Sequence, residues 1–403
     1  MKMEKEGMEE KKDGRLWSLD AFRGFDMMFI MGVGTLLSAF AWWCSGLDWQ
    51  AYWNTNFFAQ QIKHVSWEGL HFYDMIFPTF VFIAGISFPF SYAKQKARGD
   101  SAALVHWRLV KRLVLLVALG VLYNGLLRLE FPMRYASVLG KIGVAWFVAA
   151  LCYVHCGLKA RIGVCAGLMV AYWLATRFIL APDAPPEVTD PFSRLGCLAG
   201  WFDRVALPGK LGGGNFDGAG PLTCVAASVS AMLGMFTGDF VRRRDLSGNR
   251  KAVGMLAGAV ALLALGLAFA QVFPVIKKIW SPSFALLCGA YSLALFAVFY
   301  WIMDVKGWRA WAFPLRVIGL NSITIYLLQE LVDVTTIVKG FVGDNEIVQK
   351  VVDGKIVSVH VAYGLRGLIE NPALLALSFW IGYVAFCWLV LWFLYRKQVF
   401  LKV

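Results

Sequence analysis

His64 lies in a short polar stretch, residues 63–74, whose side chains could catalyse proton or acyl transfer. An imidazole changes charge near neutral pH, so His64 can act as a general base or accept an acyl group as a nucleophile. Asp74 ends the stretch, where a long apolar segment begins. A carboxylate that enters a membrane is costly and usually faces a cavity or a basic partner. His64 and Asp74 are therefore candidate catalytic residues.

Glu68 and His71 follow His64 by four and seven residues. If this part of the stretch is helical, the three side chains share one face, and Glu68 could orient His64 or stabilise its charge. The alternative is that Glu68 is a solvated loop residue. Either Asp74 or Glu68 could hold the imidazole tautomer, and His71 is a neighbour without an assigned role.

The first apolar run, within SLDAFRGFDMMF, carries three charged residues. Asp20 and Arg23 are three residues apart and could pair on one helix face. That pair could belong to a substrate site, or it could anchor the helix at the membrane surface. Asp26 lies deeper, and an acid at such depth is harder to explain as an anchor.

Polar groups also interrupt later apolar runs. The segment GLNSITIYLLQE contains Asn321 and Ser322, and KKIWSPSF places Lys278 close to Trp280. A basic cluster that ends at Arg112 could attract a polyanion or could simply be a signal of membrane topology. Together these groups indicate a polar path, which suits a transporter or an enzyme that draws a substrate from across the membrane.

The composition is that of a polytopic membrane protein. Of the 403 residues, 59% are hydrophobic and 16% are charged, too few for the polar surface of a soluble enzyme of this length. The net charge of +13 is distributed between apolar runs and does not form an aromatic-interleaved patch, so nucleic acid is not an expected partner. The eight cysteines show no zinc-site spacing, and no metal is expected.

We predict an all-α polytopic bundle of about ten or eleven transmembrane helices. Lys and Arg are most frequent in the short loops on the side of the N-terminus, which places both termini in the cytoplasm. VQKVVDGKIVSV alternates around an Asp-Gly turn and predicts a hairpin. A charged cytoplasmic tail (1–15) precedes a single membrane domain (16–403), with outer-side loops near 44–71, 182–220 and 335–371. The predicted spans are 21–43, 72–93, 110–127, 138–157, 161–181, 221–241, 252–273, 283–303, 313–334 and 372–395.

Several segments resemble one known family in the same order along the chain. They are SLDAFRGFDMM, HVSWEGLHFYDMIFPTFVFIAGISFPFS, NFDGAGPLTCVAASVSAMLGMFTGDF, KKIWSPSFALLCGAYSLAL and GLNSITIYLL. In these segments the chain resembles a bacterial member of the transmembrane acyltransferases related to heparan-alpha-glucosaminide N-acetyltransferase. The resemblance implies that acetyl-CoA donates an acetyl group from the cytoplasm to the amine of an amino sugar on the other side. It also implies a homodimer.

The resemblance implies a catalytic role for His64, because the family's active-site histidine precedes a Trp-x-Gly motif, here Trp67-Glu68-Gly69. Trp67 is then expected to shape the substrate pocket. We predict that the acceptor is bound by Trp67, Glu68, Asp20, Arg23, Asp26 and Trp280. We predict that the acetyl-CoA donor is bound by Asn321, Ser322, Arg112 and Lys278.

The expected localisation is a bacterial inner membrane, with membrane lipid and an amino-sugar or oligosaccharide acceptor as partners. Two other functions remain open from the residues alone. One is a membrane O-acyltransferase of a cell-envelope polysaccharide. The other is a secondary transporter, although no half-repeat of the kind common in transporters is visible.

Overall fold

The computed structural model describes residues 16–126, 131–343, 345–352, 355–362 and 364–401. The predicted charged tail, residues 1–15, lies outside this part of the chain. Among the described residues, eight helical segments are long and apolar enough to cross a membrane, and a bent pair over 310–331 makes a possible ninth span. The fold is therefore the expected all-α polytopic bundle. The eight segments are Trp17–Ser45, Phe72–Ala97, Val138–His155, Leu158–Phe178, Pro221–Arg242, Gly248–Ala270, Pro282–Val305 and Pro372–Arg396.

The helices of these spans and the shorter helices of the loops are numbered here in chain order. A π-helical turn or a 3-10 turn adjoins several of the helices. The helices are α1 Trp17–Met28, α2 Gly34–Ser45, α3 Trp49–Thr55, α4 Phe57–Gln61, α5 Phe72–Ala97, α6 Ala102–Val121, α7 Val138–His155, α8 Leu158–Phe178, α9 Leu198–Ala206, α10 Pro221–Arg242, α11 Gly248–Ala270, α12 Pro282–Tyr300, α13 Phe313–Leu320, α14 Ser322–Leu331, α15 Val334–Val342 and α16 Pro372–Arg396.

Helix α6 corresponds to the predicted span 110–127, but it is not among the apolar candidates. Its N-terminal half carries Arg108, Lys111 and Arg112. It nevertheless runs from one end of the bundle to the other. His106 near its start contacts His155 at the end of α7, and Asn124 near its end donates to a backbone oxygen just before α7 begins. With α6 and the bent pair included, the described residues contain ten such segments, the number that the sequence predicts.

Loop contacts define two ends of the bundle. At the end that carries His64, here called the site end, Glu68 forms an isolated antiparallel bridge with Ile276, and Arg134 forms another with Gly209. At the opposite end, the Ser18 amide donates to Asp304 at 3.3 Å. The loops 46–71, 131–137, 179–220 and 271–281 therefore lie together. The basic segments 98–112 and 243–251, each a loop with the start of the following helix, lie at the far end.

Close packing of small residues sets the position of α5, which carries Asp74. A Cβ atom on Gly85 would lie 2.1 Å from the Ala231 carbonyl oxygen, and one on Gly234 would lie 2.0 Å from that of Phe82. Helices α5 and α10 therefore touch through their backbones, as small residues allow in membrane bundles. This contact lies between two large buried clusters, since Ala231 belongs to one and Phe82 to the other.

The segment after α15 forms the predicted hairpin. Strand β1, Asn345–Val352, pairs antiparallel with β2, Lys355–Ala362, and Val352 lies opposite Lys355. The Asp-Gly turn residues themselves lie outside the described residues. The hairpin belongs to the loop between α15 and α16, so the bundle remains helical.

Candidate active site

His64 and Asp74 form a hydrogen-bonded pair at the site end. His64 Nδ1 lies 2.8 Å from Asp74 Oδ1. An ionised carboxylate can only accept hydrogen bonds, so Nδ1 carries the proton and the neutral ring presents an Nε2 lone pair. The His64 side chain is 47% exposed, whereas that of Asp74 is 1% exposed. The pair thus consists of an accessible imidazole and a buried acid that fixes its tautomer.

The Asp74 carboxylate accepts four hydrogen bonds. Oδ1 accepts from His64 Nδ1 and from Lys277 Nζ, the latter at 3.1 Å. Oδ2 accepts from the backbone amides of Val65 and His71, each at 3.2 Å. A carboxylate offers about four lone-pair positions, so the acceptor capacity of Asp74 is filled. Its place in the first turn of α5 adds the favourable field of a helix N-terminus.

Lys277 is the member of the site that the sequence analysis did not select. Its Nζ atom lies 3.1 Å from Asp74 Oδ1 and 3.1 Å from His64 Nδ1. Two signals could have indicated it. It lies in a short loop between two apolar runs, on the same predicted side as His64, and a buried acid usually has a basic partner. Burial lowers the pKa of the Lys277 ammonium, and the Asp74 charge opposes part of that shift.

A backbone contact between two segments places Lys277 next to Asp74. We call residues 275–280 the strap and residues 62–71 the site loop. The Gly69 amide donates to the Val275 carbonyl at 2.8 Å, next to the Glu68–Ile276 bridge. Gly69 has φ 120°, a value that L-residues rarely adopt, so a glycine is favoured at this contact.

The expected helical face of His64, Glu68 and His71 does not form. The site loop contains turns, bends and the strap bridge, because its backbone pairs with the strap. Glu68 is exposed, and the carboxylate that contacts His64 is Asp74. His71 caps α5, and its Nδ1 donates to the Lys63 carbonyl at 3.0 Å.

Trp67 holds two loops together beside His64. Its indole N–H donates to the Phe192 carbonyl at 2.8 Å, and its ring packs edge-on against Phe216. Arg194 lies 5.5 Å over the same ring and donates to the Ser66 carbonyl at 2.7 Å. Trp67 therefore shapes the wall of the site through the 182–220 loop.

Trp280 lies beneath the site rather than on its surface. It is 1% exposed, and its φ of 54° lies in the left-handed region. Its N–H donates to Ser230 at 3.3 Å, and Lys141 Nζ lies 3.9 Å from the ring centroid. Trp280 ends the strap and anchors it in the bundle. Lys278 precedes it on the strap and is partly exposed.

The acids and the arginine of the first helix are not brought to His64. Asp20 lies in the first turn of α1, at the opposite end, with Arg23 Nη1 3.7 Å from its Oδ1. Arg23 also donates to Ser87 at 3.1 Å. Asp26 lies further along α1, is buried, and has one carboxylate oxygen without a hydrogen-bond partner in the described structure.

Three of the four residues assigned to the donor lie inside the bundle, whereas Lys278 lies on the strap next to the site. Asn321 separates α13 from α14, where the pair bends by 59°, and is 1% exposed. Its side-chain nitrogen has no hydrogen-bond partner among the described residues. The same holds for Nε of Arg112, whose guanidinium lies 4.2 Å over the Trp146 ring. Ser322 begins α14 and is buried.

A second buried polar cluster stabilises the 182–220 loop. Asp217 accepts from two nitrogens of Arg134, each at 2.7 Å, and its own amide donates to Asp203 at 2.9 Å. Burial raises the pKa of Asp203 to about 7. Burial acts to raise the pKa of Asp217, but hydrogen bonds from Arg134 and its positive charge lower that pKa overall. No group of three or more potential metal ligands converges in the described part of the chain.

The fold and the site define a polytopic α-helical membrane protein with a His–Asp–Lys cluster at one end. No family model matches the chain. Human heparan-alpha-glucosaminide N-acetyltransferase is 24% identical over 446 aligned residues, which cover 96% of this chain and 60% of the human protein. The mouse enzyme of the same name is 24% identical over 381 residues, covering 79% and 54%. The chain is therefore related to the heparan-alpha-glucosaminide N-acetyltransferase family, and it spans less than two thirds of the length of these relatives.

Proposed function

We propose that this protein is a transmembrane acetyltransferase that moves an acetyl group from acetyl-CoA to the amine of an amino sugar. The observation that carries the proposal is the His64–Asp74 pair, which leaves Nε2 of an accessible imidazole as a base. The names of the human and mouse relatives support an acetyl donor and a glucosaminide amine. Of the three polar groups of the site, His64 is the one whose side chain is open enough for a sugar to reach it.

In direct transfer, the amine nitrogen attacks the thioester carbonyl carbon, the C–S bond breaks, and sulfur leaves as a thiolate. His64 Nε2 accepts the proton that the amine loses and returns it to the thiolate, so the ring ends the cycle uncharged. Asp74 stabilises the imidazolium formed in between through Nδ1. In the alternative, His64 carries the acetyl group as an acyl-imidazole before the amine takes it. Both routes begin with an uncharged imidazole.

The interior of the bundle fits a donor that arrives from the opposite end. Buried polar atoms without hydrogen-bond partners among the described residues are costly unless a ligand satisfies them. The Arg112 guanidinium suits a phosphate, and the Asn321 amide suits the amide groups of a pantetheine arm. Ser322 adjoins Asn321 at the helix break. These groups support entry of acetyl-CoA at the basic end.

The same arrangement supports a topology for the proposed reaction. Basic loops at the opposite end favour a cytoplasmic location for that end, which puts both termini inside and His64 outside. In a bacterial cell the membrane would be the inner membrane. The acceptor amine then meets His64 on the outer side, and a homodimer remains the expected assembly.

Reconstituted protein tests the proposal directly. Proteoliposomes are incubated with acetyl-CoA and a panel of amino sugars and hydroxyl-only analogues, and the products are scored by mass spectrometry. We expect N-acetylated product with the wild type. We expect loss of about 10²–10⁴-fold in turnover with His64→Ala, the range of a lost general base. Acetylation of the hydroxyl-only sugars would favour an O-acyltransferase, and unchanged turnover in His64→Ala would remove His64 from the reaction.

A further inference from the structure

We propose that Lys277 is a positioning residue that keeps His64 uncharged and holds its Nε2 atom outward. This inference rests on the proposed role of His64 as a base. The contact joins residues 213 positions apart, and it exists because the strap pairs with the site loop. Lys277 thus acts on the reaction through Asp74 and His64, not by contact with the reacting atoms.

The hydrogen-bond geometry gives Lys277 its first effect. Nδ1 of His64 already donates its proton to Asp74 Oδ1, so Lys277 cannot donate to that nitrogen. Lys277 instead donates to Asp74 Oδ1 at 3.1 Å. The two donors converge on one oxygen, which fixes the position of the carboxylate between them. The imidazole then has one arrangement that satisfies all three groups, with Nδ1 toward Asp74.

The charges give the second effect. A carboxylate alone beside a histidine favours the imidazolium ion. The Lys277 ammonium, 3.1 Å from Nδ1, opposes a second positive charge on the ring. The ammonium is 17% exposed, so solvent weakens this repulsion less than at an open surface. The uncharged base therefore survives next to an ionised acid, as the proposed transfer requires.

Other charged or titratable groups near the ring do not supply this balance. The Tyr73 ring lies 5.0 Å from that of His64, and its hydroxyl points to the Phe29 carbonyl at 3.4 Å. On the site loop, the Lys63 ammonium lies 4.3 Å over Trp53. His71 donates to the Lys63 carbonyl, and Glu68 is exposed. Lys277 is the cation that touches both members of the pair in the described structure.

The rate of carbethoxylation by diethyl pyrocarbonate tests the proposal without any acceptor sugar, because the reagent attacks uncharged imidazole. Tandem mass spectrometry follows the rate at His64 between pH 5 and pH 8 in purified protein. In Lys277→Gln we expect the midpoint of this profile to move to higher pH by about one unit or more, the size of a lost neighbouring charge. Lys277→Arg should keep the wild-type midpoint. Lys159→Gln, an exposed lysine at the opposite end, is the matched control.

An unchanged midpoint in Lys277→Gln would overturn the proposal. If that variant does not fold, Lys277→Met repeats the test with a side chain of similar length, and an upward shift in Lys277→Arg would overturn the proposal independently. Where acetyl transfer is measurable, the acidic limb of kcat/KM should move with the carbethoxylation midpoint. A shifted midpoint in a protein that acetylates nothing would support Lys277 and contradict the proposed function, so the two failures are distinguishable.

Discussion

Lys141 and Trp280 form a buried pair beneath the site, with the ammonium nitrogen 3.9 Å from the ring centroid. Lys141 lies in the first turn of α7 and also donates to the Gly218 carbonyl at 2.8 Å. Trp280 in turn lies at the end of the strap, three residues after Lys277. The pair therefore connects the polar 182–220 loop to the segment that carries Lys277 to Asp74.

We expect Lys141→Met to loosen the strap. Methionine has a similar length but loses the cation–π contact, which is worth about 1–2 kcal/mol when desolvated. Local opening should then become about tenfold more frequent, which hydrogen exchange at residues 275–281 would report. Global stability should change less, since removal of a buried charge relieves its desolvation. Equal exchange in the variant and the wild type would show that Lys141 does not support the strap; Lys159→Met is the exposed control.

Asp74→Asn should lower acetyl transfer by about 10²-fold or more. An amide keeps one acceptor oxygen but presents an NH2 group, so it cannot accept from all four donors that now converge on Asp74. It also removes the charge that stabilises an imidazolium during transfer. Turnover and acetyl-CoA binding are measured together, with Glu187→Gln as an exposed acid control. Full activity in Asp74→Asn would show that acetyl transfer does not require a carboxylate next to His64.

The bundle was predictable because apolar runs of membrane length determine it. The spans beginning near Phe72 and Pro221 agree with the sequence, and the hairpin after α15 followed from alternation around its turn. Because α6 carries charged residues, a test of apolarity alone does not identify it as a helix that crosses the bundle. The first helix also begins earlier than expected, so Asp20 lies within it.

The site was only partly predictable, since its central contact is between distant segments. His64 and Asp74 are ten residues apart; local chemistry made both of them candidates, and the family resemblance implied the catalytic role of His64. Lys277 is 203 residues from Asp74, and no short-range pattern reports a pairing between the site loop and the strap. Of the two alternatives for Glu68, the helical face shared with His64 does not form and the exposed loop residue is found. Spacing alone could not decide between them, because it does not reveal that the site loop pairs its backbone with another segment.

Asp203 should make the protein less stable as pH rises. The pKa of this buried carboxyl is raised to about 7, whereas an unfolded aspartate ionises near pH 4. The folded state therefore binds more protons between about pH 4 and pH 7, and the free energy of unfolding falls as pH rises through that window. Asp203→Asn removes this pH-dependent contribution. The difference in thermal stability, variant minus wild type, should therefore be larger at pH 8 than at pH 5.

Thermal unfolding in detergent at pH 5, 6.5 and 8 measures the Asp203 effect. Asp183→Asn is the control, because Asp183 is exposed and pairs with Arg204 on the same loop. Arg204 lowers the pKa of Asp183, so Asp183 is ionised in the folded and the unfolded state throughout this pH range, and the difference between Asp183→Asn and wild type should stay constant. A constant difference between Asp203→Asn and wild type at all three values would contradict a raised Asp203 pKa.

Gly234→Ala should reduce both stability and activity, because α5 cannot remain in place if α10 gains a methyl group. The new Cβ would lie 2.0 Å from the Phe82 carbonyl oxygen, so the two helices must separate. Overpacking of this kind typically costs about 1–3 kcal/mol. Asp74 lies on the same α5 helix, so displacement of that helix would also disturb the His64 contact. Gly167→Ala on α8 meets open space and is the matched control; thermal unfolding and kcat/KM equal in the two variants would show that the α5–α10 contact does not position the site.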